Sequence, residues 1–235
     1  MASSEHIAPK IQDFFNWYPG AKEIYGRTQL FHRTLGSNVP AILETGLSPQ
    51  RRLFPEEHGD FVLRVCRKTS SDPNDSDYIR NRIIQSGSLY LMTEQALENT
   101  RYGIPERFML LMRSLYTIAN KQGFEQADRD TAQKAYDEHA AILTAPGQTI
   151  ATLKVDPMAP NIVNTQLGNW NLDSLTSTEQ AEMLVRHVRS INYYNIEIPG
   201  IIEPEYISEH NREMLTVEQA FLGIETEAGW ARYVR

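Results

Sequence analysis

The sequence predicts one mixed α+β domain, and three observations carry that prediction. Short apolar stretches of strand length alternate with stretches of helical spacing along the chain. Turn formers such as Pro19-Gly20, Gly46 and Pro199-Gly200 punctuate them at close intervals. From about Pro105 to Leu143 the periodicity is helical only, which reads as a helical insertion within a single domain spanning 1–235. A chain of 235 residues can bury a sizeable core without disulfides or metals, and no internal repeat or low-complexity tract divides it.

Taken in order, Ile11, Phe14, Phe15 and Tyr18 have helical spacing, and Pro19-Gly20 is expected to stop that helix. Gln29 to Thr34 is short, apolar and flanked by turn formers, which predicts a buried strand. Asn38 then offers a cap, Pro40 suits a first turn, Val39, Ile42 and Leu43 share a face, and Gly46 can end a short helix. Phe61 to Cys66 reads as a second strand, and Thr69 to Asp77 as a loop. Tyr78 to Gln85 is open between helix and extended chain. Gly87 to Met92 predicts a strand, with Thr93 capping a helix through Glu98.

Within the insertion, Phe108, Leu111, Met112, Leu115 and Ile118 form one stripe, and Gly123 separates it from a second helix over Gln126 to Ile142. Gln148 to Val155 alternates as a strand. Ser177 to Val188 predicts a capped helix, and Ile191 to Ile198 the last strand, closed by Pro199-Gly200. A short helix over Glu203 to Ile207 and one further helix ending near Gly223 complete the chain.

Composition narrows the function. Hydrophobic residues at 41% and charged residues at 23% are ordinary globular values and argue against disorder. A net charge of −7 argues against a large phosphate-backbone-binding face, while leaving room for a nucleotide that needs only a few donors. The lone Cys66 excludes an intrachain disulfide and a cysteine-rich zinc site. The six histidines show no pair at metal-ligand spacing, so no metal site is expected. Met1 to His6 lacks the basic and apolar regions of a secretory signal, and no apolar run has bilayer length, so a soluble cytoplasmic protein is expected. Glycine-rich phosphate loops, zinc-protease and serine-hydrolase signatures are all missing.

Three separated segments remain. The first is Leu30-Phe31-His32-Arg33-Thr34 followed by Asn38 to Pro49 with its Gly46-Leu47-Ser48-Pro49 ending. The second is Gly87 to Thr93 with Ala96-Leu97, and the third is Ile196 to Ile207, where a strand ends at Pro199 before Glu203-Pro204-Glu205-Tyr206-Ile207. In order and spacing these resemble the NAD-binding core of the ADP-ribosyltransferase superfamily, of the His–Tyr mono-ADP-ribosyltransferase type. The resemblance covers about half the chain once the Gln148 strand is included.

The resemblance implies a fold with a split pair of small sheets around an NAD cleft. It implies transfer of ADP-ribose from NAD, the substrate, to a protein side chain or nucleic-acid base, with release of nicotinamide. His32 would hydrogen-bond a ribose hydroxyl, the Arg33 backbone would meet the nicotinamide amide, and Thr34 would complete the cofactor-binding strand. Tyr90 would stack on the nicotinamide ring. The family's acidic residue, which stabilises the oxocarbenium-like charge, falls by spacing on Asn195, with Glu197 two residues on and on the same strand face. The acid is therefore Glu197 in a shifted register, or Asn195 holds the ribose without charge.

Arg27 and Arg33 are candidates for the pyrophosphate, with surface ion pairing as the commoner fate of such residues. By the same resemblance the setting is a bacterial or phage toxin or effector, delivered to a host cytoplasm, with a macromolecular acceptor and no membrane. Three other readings stay open: a catalytically inactive relative that binds NAD, ADP-ribose or a protein; an RNA 2′-phosphotransferase-like enzyme; and an unrelated helical scaffold.

Overall fold

A computed structural model describes residues 6–49, 54–69, 88–98, 104–168, 171–172, 182, 196–221 and 224. The chain is α+β. Its strands are β1 (Leu30–Leu35), β2 (Ser88–Thr93), β3 (Thr149–Val155), β4 (Ile196–Pro199) and β5 (Ile207–Met214). They form a five-stranded antiparallel sheet in the order β4-β2-β1-β3-β5. The described helices are α1 (Pro9–Trp17), α2 (Pro19–Gly26), α3 (Val39–Thr45), α4 (Glu56–Thr69), α5 (Glu94–Glu98), α6 (Glu106–Asn120), α7 (Gln126–Leu143), α8 (Pro160–Leu167) and α9 (Val217–Phe221).

The pair of small sheets expected from the sequence is, among the described residues, one sheet with a fork in it. β1 and β2 pair only through Leu30 with Thr93 and Phe31 with Met92. Beyond that seam β1 continues along β3 as far as Leu35, while β2 runs along β4 from Leu91 to Ser88. Thus β4-β2 and β1-β3-β5 are two wings that share a narrow hinge.

Both faces of the central strands are covered. On one face Leu30, Leu89, Leu91, Ala151, Leu153, Ile196 and Ile198 pack with Val39 and Ile42 of α3 and Ile162 of α8. On the other, Leu35 and Ile150 join the helical unit of α4, α6 and α7. That is why β3 is buried on both sides of its alternation, with Lys154 exposed. The insertion's stripe lies in the core, with Phe108, Leu111, Met112, Leu115 and Ile118 all at 0% exposure, each such side chain contributing about 2 kcal/mol of burial. Gly123, at φ +115°, turns the chain between α6 and α7. A third cluster joins Phe14 and Phe15 of α1 and Tyr25 of α2 to Val163 and Leu167 of α8.

Several expectations are corrected. Phe61 to Cys66 is not a strand but part of α4, and Cys66 is buried on that helix. The helix opens with Glu56 and Glu57 and closes with Arg67 and Lys68, charges that suit its dipole at both ends. The first helix stops at Trp17, just before Pro19-Gly20 as expected, and Pro19 also starts α2 at its first position, where a proline loses no hydrogen bond. Asn38 holds the expected N-cap position of α3 but makes no side-chain capping hydrogen bond; its Nδ2 donates to Thr34 Oγ1 at 3.3 Å. The last strand is not the one closed by Pro199-Gly200 but β5, reached through the expected short helix, which is a 3-10 helix at Pro204–Tyr206. The tail helix is α9, which ends at Phe221. Apart from Glu182, which is helical, the Ser177–Val188 segment lies outside the described residues, as do Tyr78–Gln85 and 191–195.

Candidate functional site

The fork brings the first two sequence segments together. His32 leaves β1 one residue past the seam, and its Nδ1 meets the carbonyl oxygen of Tyr90 at 3.3 Å. A carbonyl only accepts, so Nδ1 carries the hydrogen and the neutral ring keeps the Nε2 lone pair. Strand alternation assigns His32 to the face opposite Tyr90. The contact is made through the opening between the two wings, where no ladder hydrogen bonds close the gap.

Burial pulls the His32 pKa below its ordinary value, the Tyr90 carbonyl opposes that shift, and the Arg107 guanidinium reinforces it. The imidazole is therefore neutral near pH 7, an acceptor ready for a hydroxyl. The residue as a whole is half-buried.

The third segment reaches the other face of the fork from β4. Tyr90 is directly opposite Glu197 in the β2–β4 pairing, which puts both side chains on one face of that wing. Tyr90 is half-buried and Glu197 exposed. By alternation Phe31, Arg33 and Met92 share this face. Arg33 is half-buried on β1, and burial lowers its pKa while the Glu213 carboxylate opposes the shift. Thr34 is only 1% exposed and accepts the Asn38 hydrogen bond, which ties the end of β1 to the start of α3. Asn195 lies outside the described residues. Arg27 is paired with Glu23 on the surface of α2, the commoner fate for such a residue.

The chain ends of segments one and three are stitched to each other. Leu47 N–H donates to Ile202 O and Ile202 N–H to Leu47 O, each at 2.9 Å. Gly46 makes this possible: its φ is +82°, and a Cβ there would lie 2.3 Å from the Ile202 oxygen. Asn161 of α8 holds the next turn, its Nδ2 donating to Pro199 O and, at 3.1 Å, to Ile201 O. These bonds fix where β4 ends and hence the height of Glu197 beside Tyr90.

Two contributors escaped the sequence reading. Arg107, in the first turn of α6, places its guanidinium 4.9 Å from the centroid of the Tyr90 ring. Its one sequence signal is a cation two residues after Pro105 in a helix first turn, where the dipole disfavours positive charge. Asn161 had no signal, because its acceptors are 38 and 40 residues away.

Among the described residues, no group of three or more His, Cys, Asp or Glu is placed to hold a metal ion. Among the same residues, no helix is long and apolar enough to cross a membrane. Compared with known proteins, the chain matches no protein-family model, no curated protein and no solved structure.

Proposed function

We propose that this chain transfers ADP-ribose from NAD to a protein side chain or nucleic-acid base and releases nicotinamide. The observation that carries the reading is the fork itself, where His32 Nδ1 bonds the Tyr90 carbonyl and Glu197 stands directly across the β2–β4 pair from Tyr90, three segments far apart in sequence. The fork carries an imidazole on one face of the sheet and an aromatic ring with a carboxylate on the other.

Each group has a task that its chemistry suits. His32 Nε2 accepts from a ribose hydroxyl, with Nδ1 anchored on the Tyr90 carbonyl. The Tyr90 ring takes the flat, positively charged nicotinamide against its face. Backbone groups of Arg33 meet the carboxamide. Glu197 accepts from the 2′-hydroxyl of the nicotinamide ribose and faces the positive charge that develops at C1′. The bond from C1′ to the pyridinium nitrogen breaks, its electron pair neutralises the departing nicotinamide, and the acceptor's nucleophile bonds to C1′ and loses its proton. Glu197 opposite Tyr90 supports it as the acid of the reaction.

Nicotinamide release from NAD, followed by chromatography with and without candidate acceptors, tests the reading. Wild type is expected to release nicotinamide, and Glu197→Gln to lose on the order of 10²-fold in rate, the usual effect of removing one transition-state electrostatic partner. Tyr90→Phe retains binding and Tyr90→Leu weakens it. Wild-type protein that neither binds NAD nor releases nicotinamide overturns the proposal, and binding without release assigns the chain to the inactive NAD binders.

A further inference from the structure

We propose that Arg107 selects what stacks on Tyr90: its guanidinium and the nicotinamide cation are alternative occupants of one ring, and the ligand must displace the arginine. This rests on the ADP-ribosyl transfer reading above and adds a residue that no sequence motif marks. A guanidinium is flat, positively charged and delocalised, the same properties that suit a pyridinium to an aromatic face. At 4.9 Å from the ring centroid Arg107 already satisfies that preference. Tyr90 is half-buried, so the open area of its ring is limited, and a second cation on it meets both a steric block and like charge.

The position of Arg107 argues that this contact is not there to stabilise the helix. It lies in the first turn of α6, after Pro105 and without any side-chain cap, where the dipole opposes a cation. The same guanidinium lies close enough to His32 to disfavour a charged imidazole. One side chain therefore acts on both ligand-facing groups of the fork. With Arg107 seated, His32 is held as an acceptor and the ring of Tyr90 is occupied. With Arg107 displaced, the ring is open to the nicotinamide.

Two probes divide the ligand: N1-methylnicotinamide carries the cationic ring without phosphates, and ADP-ribose carries the phosphates without the ring. Their affinities are measured by NMR titration for wild type, Arg107→Met and Arg107→Gln, with circular dichroism confirming that each is folded. Both variants remove the charge, Met keeping the apolar stem and Gln a polar end, so an effect common to both belongs to the lost cation. The ring probe is expected to bind both variants tighter by roughly 2- to 30-fold, the span of a cation–π contact released from competition. ADP-ribose affinity is expected to stay within about twofold, since that probe does not use the ring.

An unchanged or weakened affinity for N1-methylnicotinamide in both variants overturns the inference. So does a loss of ADP-ribose binding in both, which would give the guanidinium a phosphate-holding role. In either case NAD binding by wild type leaves the proposed function standing. Failure of all three chains to bind NAD, ADP-ribose and N1-methylnicotinamide overturns both together.

Discussion

Lowering the pH from about 7.5 to about 4 is expected to loosen the helical unit through one side chain, His139 of α7. His139 is 1% exposed, and its ring meets Phe108 edge-on at 5.3 Å and Phe54 at 6.4 Å. His58 of α4 points its Nδ1 at His139 Nε2 across 2.9 Å, a distance that holds one shared hydrogen. His139 Nδ1 is buried with no hydrogen-bond partner among the described residues. Burial first, and then the charge of His58, push the His139 pKa down to about 4, while Glu138 opposes the shift.

The folded chain therefore keeps His139 neutral in a range where the unfolded chain protonates it, below about 6.5. The unfolded state binds the extra proton, so the stabilisation is complete above that pH and falls as pH drops toward 4. At about 1.4 kcal/mol per pH unit over roughly 2.5 units, the loss is at most about 3 kcal/mol. For a chain of this size that is a fall in Tm of roughly 6–12 °C. Thermal and urea unfolding are followed across the window for wild type and His139→Phe, which replaces the imidazole with an apolar ring. Carboxylates away from this pair titrate alike in both, so the difference between the two curves reports the His58–His139 pair. Equal pH slopes for the two proteins would refute the reasoning.

Two other substitutions test the framework that positions the site. Gly46→Ala is expected to cost about 3 kcal/mol, from a positive φ imposed on alanine and from the Leu47–Ile202 hydrogen bonds its Cβ disrupts. Chemical denaturation reads it, and a midpoint equal to wild type contradicts the bridge between the first and third segments. Phe108→Ala, at a side chain with no exposure, is expected to lose about 3–5 kcal/mol by cavity formation. A loss under about 1 kcal/mol in the same assay would mean that the insertion does not share the main core.

Local pattern was enough wherever a segment's own side chains settle its conformation. The stripe from Phe108 to Ile118, the Gly123 break and the α7 span are all legible because helical spacing recurs over several turns. The Thr93 cap is equally local, its Oγ1 accepting from Ala96 N–H at 3.3 Å. Phe61 to Cys66 misled because a short apolar run has no period of its own to separate helix from strand. The acidic and basic ends of α4 held the missing information. β5 left no such trace. Its side chains after Ile207 are exposed, and its order comes from backbone pairing with β3, a partner more than fifty residues away.

The same division runs through the site. From the sequence alone came the residue types, an imidazole, a phenol and a polar group from either Asn195 or Glu197, each in a short strand beside a turn. Tertiary structure decided that β1 and β2 part after two pairs, that His32 reaches the Tyr90 carbonyl through the gap, and that Glu197 stands opposite Tyr90. It also brought Arg107 to the ring. Strand register and long-range hydrogen bonds set these relations, and neither leaves a period in the chain because each depends on which distant backbone supplies the partner.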